Sequence, residues 1–189
     1  MPPTPLSDKR PLGNTAITVP PIGFGAAWIG FTDPKMDVGD EQSIATTLTA
    51  LEAGINLVDT SPYYGDSERR LGLAFERWYR NGGKREDMVL STKTGSLVTP
   101  RDYSGKHTRE SVERSLRLLK TDYIDVLLIH DIDADGNRKF SRAEAPGAAL
   151  DVLEELKEKG VIRAIGLGCR AHDVHRDGIH SGRLDMTLT

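Results

Sequence analysis

Short apolar runs alternate with amphipathic segments along most of the chain. Near-continuous runs of Val, Ile and Leu are typical of parallel strands that are covered on both faces. Apolar residues at three- and four-residue spacing between these runs predict helices. The predicted strands are 22–26, 55–59, 88–93, 124–130, 161–167 and 186–188. The predicted helices are 42–53, 67–80, 108–120, 148–159 and 171–182.

Local signals mark the ends of several of these elements. Gly54 and Gly160 follow two helical patterns and are typical C-terminal stops. Thr108 is the residue type that caps a helix N-terminus, and we expect it to begin the third helix. Before the first strand, residues 10–19 predict a β-hairpin with Gly13-Asn14 as its turn.

Repeated strand–helix units indicate a parallel sheet with right-handed crossovers. Two folds fit this pattern, the (β/α)8 TIM barrel and the open doubly wound sheet. A barrel needs about 250 residues and eight units, whereas this chain of 189 residues stops directly after its sixth strand-like run. We therefore expect an α/β fold, an incomplete (β/α)8 barrel of six βα units preceded by the hairpin. Residues 1–189 would form one domain, truncated at its C-terminus.

Polar side chains follow three of the predicted strands. Asp59 ends the second strand, Lys93 ends the third and His130 ends the fourth, while Tyr64 lies just beyond Asp59. In a barrel the active site lies at the C-terminal ends of the strands. We therefore expect these four side chains to face one cavity.

The four residue types together suit carbonyl–alcohol chemistry. A lysine ammonium beside a tyrosine is expected to lower the pKa of the phenol, and a carboxylate at Asp59 would hold Lys93 in place. Tyr64 would then be the general acid or base, and His130 would orient the substrate oxygen. Because these residues supply no hydride, the chemistry implies a nicotinamide cofactor.

Several motifs carry a resemblance to a known family. The run Asp59-Thr-Ser-Pro-Tyr-Tyr-Gly-Asp-Ser-Glu68 resembles the signature of the aldo-keto reductases. The runs 89–93, 123–130 and 156–166 resemble the family's lysine strand, histidine strand and fifth unit. Residues 11–15 and 22–26 are similar to its hairpin and first strand. The resemblance covers nearly the whole chain but only about three-fifths of a family member.

The resemblance implies a site and a substrate class. It places the catalytic roles on Asp59, Tyr64, Lys93 and His130. Substrate contacts fall on Trp28, Tyr63 and His130. The cofactor, NADP or NAD, would be bound by Gly25, Ala26, Ala27, Asp59, Gly168 and Arg170. Within the family, the chain is most similar to the aldose 1-dehydrogenases, such as L-fucose and D-threo-aldose dehydrogenases. A small carbonyl compound or sugar is therefore the expected substrate.

The chain departs from the family pattern in two places. Many members have a Ser-Asn pair that holds the nicotinamide carboxamide, where this chain has Gly168-Cys169-Arg170. The family's later segments, with an aromatic platform under the nicotinamide and basic residues for the adenosine 2′-phosphate, have no counterpart here. We therefore expect this chain alone to bind the cofactor poorly, and the choice between NAD and NADP stays open.

Composition narrows the remaining possibilities. With 25 basic and 28 acidic residues, the net charge of −3 gives no general attraction to nucleic acid or an anionic membrane. No apolar run reaches the roughly 18 residues of a membrane helix, and the N-terminus has no secretory pattern. Cys169 is the single cysteine, which favours a cytoplasmic setting.

No metal site is expected from the sequence. Residues 131–136 resemble the start of a calcium loop, but Arg142 occupies the position of the final acidic ligand. The polar segment that carries His172, His175 and His180 has no accompanying carboxylate cluster, so we expect no metal there either.

Three other functions remain open at this point. The chain could be a catalytically inactive fragment, or a regulatory subunit of the same fold that works by binding, as the family's potassium-channel β-subunits do. It could also be a barrel lyase or isomerase that uses the Lys93 amine. The oligomeric state is unknown, although unpaired edge strands would favour self-association.

Overall fold

The computed structural model describes residues 8–97, 99–134, 136 and 139–189. Its strands are β1 (Arg10–Pro11), β2 (Thr18–Val19), β3 (Phe24–Gly25), β4 (Leu57–Asp59), β5 (Val89–Thr94), β6 (Ile124–His130), β7 (Ile162–Gly168) and β8 (Met186–Leu188). Its helices are α1 (Gly39–Glu52), α2 (Ser67–Arg80), α3 (Gly105–Leu119), α4 (Ser141–Glu144), α5 (Ala149–Glu158) and α6 (His172–His180).

The strands β3 to β8 form one parallel sheet in which each strand pairs with the next along the chain. An open doubly wound sheet would reverse its strand order at a switch point, and this sheet does not. The two strands β1 and β2 pair antiparallel as a separate hairpin. The prediction of an incomplete (β/α)8 barrel of six strands preceded by a hairpin is therefore confirmed.

The sheet separates two apolar regions. On its outer face, the helices pack onto fully buried strand residues such as Leu127, Ile129 and Leu167. On its inner face, Ile17 of the hairpin packs against Val126 and other inward-facing residues. Strands β5, β6 and most of β7 are buried on both faces, and β6 and β7 accordingly consist mainly of apolar residues and glycine. Strand β5 begins with two apolar residues and continues with buried polar ones.

Helix α3 begins earlier than the sequence pattern predicts. Ser104, not Thr108, is its N-cap, and the Ser104 hydroxyl accepts a hydrogen bond from the backbone N–H of His107. Thr108 lies inside the helix, where its hydroxyl donates to the carbonyl of Ser104. The prediction was wrong because the first turn carries no apolar periodicity, so the pattern becomes visible one turn late.

Other element ends agree more closely with the sequence. Helix α2 spans the predicted residues, and Gly54 and Gly160 follow α1 and α5 with the positive φ of a helix stop. Helix α1 begins at Gly39, before its predicted start. The short helix α4 and two 3-10 turns, Trp28–Gly30 and Arg85–Asp87, were not predicted. Among the described residues, no helix combines the length and apolar character needed to cross a membrane.

Candidate active site

Three neighbouring strands and one loop bring four polar side chains to the same end of the sheet. Asp59 and His130 are the last residues of β4 and β6, and Lys93 lies near the end of β5. Tyr64 belongs to the loop between β4 and α2, where its ring centroid lies 5.7 Å from that of His130 and 5.0 Å from the Lys93 ammonium. The side chains that the sequence groups together are therefore adjacent in space.

Lys93 is a buried cation whose ammonium has two oxygen acceptors, one of them the partly exposed Asp59 carboxylate. Its ammonium donates to the Asp59 carboxylate at 2.6 Å and to the Thr60 carbonyl at 2.7 Å. The second Asp59 oxygen accepts a hydrogen bond from the Ser91 hydroxyl at 2.7 Å. Burial lowers the pKa of Lys93, and the neighbouring Asp59 carboxylate opposes that shift. We call Lys93, Asp59, Thr60 and Ser91 the lysine end of the site.

His130 is held by uncharged groups. Its Nδ1 lies 3.1 Å from the Ser61 hydroxyl and 2.7 Å from the Ser96 hydroxyl. The pKa of His130 is lowered to about 4, mainly by burial; the Asp131 carboxylate opposes the shift, and the cations Lys93 and Arg101 contribute to it. The imidazole is therefore neutral at pH 7. We call His130, Ser61 and Ser96 the histidine end.

The pKa of Tyr64 moves in the direction opposite to the one expected from the sequence. Burial, together with the smaller effects of the Asp59 and Asp131 carboxylates, raises it to about 12. The expectation of a lowered pKa was wrong because the Lys93 ammonium points to Asp59 and Thr60 and lies over the face of the tyrosine ring. Tyr64 is therefore a protonated phenol at neutral pH, which is the form that donates a proton.

A close backbone approach fixes the loop that carries Tyr64. A Cβ added to Gly30 would lie 1.8 Å from the Tyr64 carbonyl oxygen, and one added to Gly65 would lie 2.3 Å from the Gly30 oxygen. The N–H of Asp66 donates to that same Gly30 oxygen at 2.9 Å. The buried Arg70 guanidinium holds the other side of the contact through the carbonyls of Ile29 and Phe31. Two positions without side chains thus allow the tyrosine loop to sit against the 3-10 turn.

The side chains of Tyr64, Lys93 and His130 face a cavity of about 350 Å³. Its other lining residues are Tyr63, Asp131, Gly168, Cys169, Arg170, Leu188 and Thr189. The cavity therefore contains aromatic rings, a carboxylate and cationic groups around a small open volume.

Asp131 is a cavity residue that the sequence reasoning missed. Its carboxylate lies 3.7 Å from His130 Nε2 and 3.1 Å from the Arg101 guanidinium. Its φ of 49° is in the left-handed region, which Asp tolerates better than most residues, and its N–H donates to the Gly168 carbonyl. The available signal was its position directly after the strand-end histidine, where polar residues of barrels reach the site.

The residues predicted to bind cofactor and substrate lie in several different places in the structure. Tyr63, Gly168 and Arg170 line the cavity, and Gly25 lines a neighbouring apolar cavity together with Asp59. Ala26 is fully buried, and its N–H and carbonyl are engaged by the Asp59 carbonyl and the Ser67 hydroxyl.

Ala27 and Trp28 lie away from both cavities. Ala27 caps the 3-10 turn at the end of β3. Trp28 is 70% exposed, and its ring meets that of Phe31 edge-on. Neither side chain is brought next to the four strand-end groups.

The segments weighed as metal sites have other contacts. Asp133 accepts the N–H groups of Arg170 and Ala171, so it ties the loop after β6 to the start of α6. Asp135, from the same calcium-like run, lies outside the described residues. His175 is buried against the Cys169 carbonyl, whereas His172 and His180 are exposed. No cluster of three metal-ligating side chains occurs in the part of the chain that the structure describes.

Cys169 lines the cavity but is not an activated nucleophile. Burial raises the pKa of its thiol to about 11, and nearby carboxylates act in the same direction. A thiol with a raised pKa stays protonated at pH 7 and reacts slowly. Its proximity to His175 Nε2 at 3.4 Å does not change this, because that nitrogen lies 2.8 Å from the Cys169 carbonyl.

The surroundings of the lysine end fit the nicotinamide end of a dinucleotide. Gly25 pairs with Asp59 across β3 and β4, and a Cβ there would meet nothing within 4 Å. Gly168 lies on the other side, where a Cβ would be 3.7 Å from Lys93 Cε. Gly25 thus leaves open space beside Asp59 that suits a planar ring, whereas a Cβ at Gly168 would also contact Leu128 Cδ1 at 3.4 Å.

Comparisons with known proteins show which proteins this chain is similar to. The chain is 33% identical over 187 residues to L-galactose dehydrogenase of Arabidopsis thaliana, covering 96% of this chain and 56% of that protein. It is 27% identical over 210 residues to D-threo-aldose 1-dehydrogenase of a Pseudomonas species, covering 97% of this chain and 60% of that protein. The chain thus spans little more than half the length of these relatives.

A solved structure and a family match complete the comparison. The holo form of an aldo-keto reductase from Bacillus halodurans superposes with a TM-score of 0.72 at 29% identity, over 91% of this chain and 53% of that one. Residues 21–176 match the aldo/keto reductase family. The resemblance predicted from the sequence motifs is therefore confirmed, and the chain belongs to the aldo/keto reductase family.

Proposed function

We propose that the protein is an NAD(P)-dependent oxidoreductase that interconverts carbonyl and hydroxyl groups, with an aldose oxidised at C1 or an aldehyde or ketone reduced. The observation that carries the proposal is the shared cavity of Tyr64, Lys93 and His130, with Asp59 bonded to Lys93. The names of the relatives, which are dehydrogenases of L-galactose and D-threo-aldoses, support the sugar substrate class.

Each of the four side chains has a distinct part in the proposed reaction. Tyr64, a phenol at neutral pH, donates its proton to the substrate oxygen as carbonyl becomes alcohol, and takes it back in the reverse direction. His130 orients the same oxygen by a hydrogen bond. Lys93 places a positive charge beside the phenol ring and stabilises negative charge that develops there. Asp59 holds Lys93 in position.

The cofactor would lie against Gly25, Asp59, Gly168 and Arg170. Bound there, a nicotinamide would supply or accept the hydride at the substrate carbon. The protein's own groups manage the proton, so the carbonyl oxygen gains a proton from Tyr64 while the carbon gains the hydride. The choice between NAD and NADP is part of the test.

The decisive experiment compares Tyr64→Phe with the unmodified chain. Purified protein is assayed with NAD or NADP and with L-galactose, L-fucose or an aldehyde, and nicotinamide absorbance is followed. Loss of the phenol should lower kcat by about 10²–10⁴-fold. Tyr123→Phe is the matched control, because this tyrosine precedes β6 at the opposite end of the sheet and packs its ring against Arg85.

Two outcomes would contradict the proposal. If the unmodified chain turns over none of the substrates above background with either cofactor, the result favours an inactive fragment or a non-catalytic binding subunit. Equal kcat values for Tyr64→Phe and Tyr123→Phe would remove Tyr64 from the acid role.

The structure argues against a lyase or isomerase that uses the Lys93 amine. The side chain of Lys93 is only 2% exposed, and its nitrogen is already bonded to Asp59 and Thr60. An amine that forms a Schiff base has to reach a substrate carbonyl as the free base. Borohydride treatment in the presence of an aldose is therefore expected to leave the mass of the Lys93 peptide unchanged. A reduced sugar adduct at Lys93 would favour the lyase.

A further inference from the structure

The hydrogen-bond partners of His130 differ on its two ring nitrogens. Nδ1 faces two serine hydroxyls, those of Ser61 and Ser96, and both serines are almost completely buried. Nε2 faces the cavity side, with an Asp131 oxygen at 3.7 Å, which is too long for a hydrogen bond. In a neutral imidazole one nitrogen carries the proton and the other accepts. The surroundings of Nδ1 therefore decide what Nε2 can offer a substrate.

The acceptors available to the Ser61 and Ser96 hydroxyl hydrogens favour one tautomer of His130. Ser61 Oγ already accepts the N–H of Tyr63 at 3.1 Å, so its own hydrogen needs an acceptor. Among the residues that the structure describes, the hydrogen-bond acceptor for both hydroxyls is His130 Nδ1. If Nδ1 carried the proton, neither hydroxyl hydrogen would have an acceptor within the part of the chain that the structure describes, and leaving them unpaired is unfavourable. If Nε2 carries it, the single Nδ1 lone pair accepts from both hydroxyls in a shared hydrogen bond, at 2.7 Å from Ser96 Oγ and 3.1 Å from Ser61 Oγ.

We propose that Ser61 and Ser96 are positioning residues that hold His130 as the Nε2-protonated tautomer. The nearby Asp131 carboxylate acts in the same direction by attracting the Nε2 proton. The imidazole then presents an N–H donor to the cavity, and the two serines fix the plane of the ring. The contact between this Nε2–H donor and a substrate oxygen rests on the proposed function. The assignment of the tautomer does not.

The test is ¹⁵N NMR on the full chain with labelled histidine. The spectrum contains the imidazole signals of five histidines. The signals that are missing from the spectrum of His130→Gln are assigned to His130. At neutral pH we expect the His130 Nδ1 resonance of a lone pair that accepts hydrogen bonds, and the Nε2 resonance of a protonated nitrogen. A protonated Nδ1 in the unmodified chain would overturn the proposal without any variant.

The serines are then removed singly and together. Ser96→Ala and Ser61→Ala should each shift the ratio of tautomers by about fivefold, the size expected for one lost net hydrogen bond. The Nδ1 resonance should move toward that of a lone pair without a donor. Ser96→Thr, which keeps the hydroxyl, should restore the signal of the unmodified chain.

Ser91→Ala is the matched control. Ser91 is also a buried serine near a strand end, but its hydroxyl donates to Asp59 at the lysine end. It should leave the His130 resonances unchanged. If both single serine variants also leave them unchanged, the serines do not set the tautomer. These readouts do not require turnover, so they stand whether or not the chain is an active oxidoreductase.

Discussion

The two ends of the cavity each bury a nitrogen base, and they satisfy it by different chemistry. At the lysine end, a cation with 2% exposure pairs with the Asp59 carboxylate at 2.6 Å. At the histidine end, burial lowers the pKa of the imidazole so that it is neutral, and two hydroxyls contact Nδ1 while the Asp131 carboxylate lies 3.7 Å from Nε2, beyond hydrogen-bond distance. The difference shows that the state of protonation decides which partners a buried base needs.

A single loop serves both ends. The Thr60 carbonyl accepts from Lys93, and the next residue, Ser61, places its hydroxyl against His130. The two ends are therefore joined through the residues that follow β4. They should nonetheless respond differently to mutation and to pH, because one contains a charge and the other does not.

The largest effect is expected when the lysine end loses its negative charge. Asp59→Asn leaves the Lys93 ammonium buried without a counter-charge, so the free energy of unfolding should fall by about 3–5 kcal/mol. Chemical denaturation monitored by circular dichroism measures this change. The double variant Asp59→Asn/Lys93→Met should recover part of the loss, since no unpaired charge remains. A loss below about 1 kcal/mol for Asp59→Asn would show that the ammonium is not a buried charge.

A smaller effect is expected at the histidine end when the pH falls. The folded-state pKa of about 4 lies below the unfolded value near 6.5, so the unfolded chain binds more protons between these pH values. The contribution of His130 to stability is therefore present above pH of about 6.5 and is lost as pH falls toward about 4, with a slope up to about 1.4 kcal/mol per pH unit.

Urea midpoints measured against pH for the unmodified chain and His130→Gln isolate this contribution. Carboxylates titrate in the same range, but they do so in both proteins. The urea midpoint of the unmodified chain, relative to that of His130→Gln, should fall as the pH falls. Parallel curves would show that the imidazole is not held neutral by the fold.

The smallest effect is expected outside both ends. Trp28 is exposed and contacts Phe31 with its ring centroid at 5.0 Å. Trp28→Ala should therefore change the free energy of unfolding by no more than about 1 kcal/mol, the size of one aromatic pair. Denaturant unfolding provides the measurement. A loss of several kcal/mol would mean that the indole supports the 3-10 turn and, through it, the tyrosine loop.

Much of the fold could be predicted from the sequence because buried parallel strands leave a visible pattern. Strands β6 and β7 are mainly apolar, β5 begins with two apolar residues, and the order of the strands along the chain is their order in the sheet. Asp59, Lys93 and His130 stood out because each is a polar residue at or near the end of a predicted strand. Tyr64 has no such pattern and was found through its spacing within a family motif.

The partners of these side chains could not be predicted. Ser61 and Ser96 are 69 and 34 residues from His130 in the sequence, so only the folded chain reveals that they share Nδ1. The direction of the pKa shift of Tyr64 was predicted wrongly because burial and the Asp59 and Asp131 carboxylates raise this pKa, and the sequence does not show how deeply the phenol is buried. Residue types near a site thus indicate its chemistry, whereas protonation states depend on directions and distances.

The contact between Gly30 and Gly65 has a consequence for engineering. A combinatorial library meant to alter substrate preference would normally randomise positions around Tyr64. Any Cβ at Gly30 would collide with the Tyr64 carbonyl oxygen, and any at Gly65 with the Gly30 carbonyl oxygen. Such variants would displace Tyr64 whatever other substitutions they carry. A productive library therefore keeps both glycines and randomises Tyr63, Asp131 and Arg170.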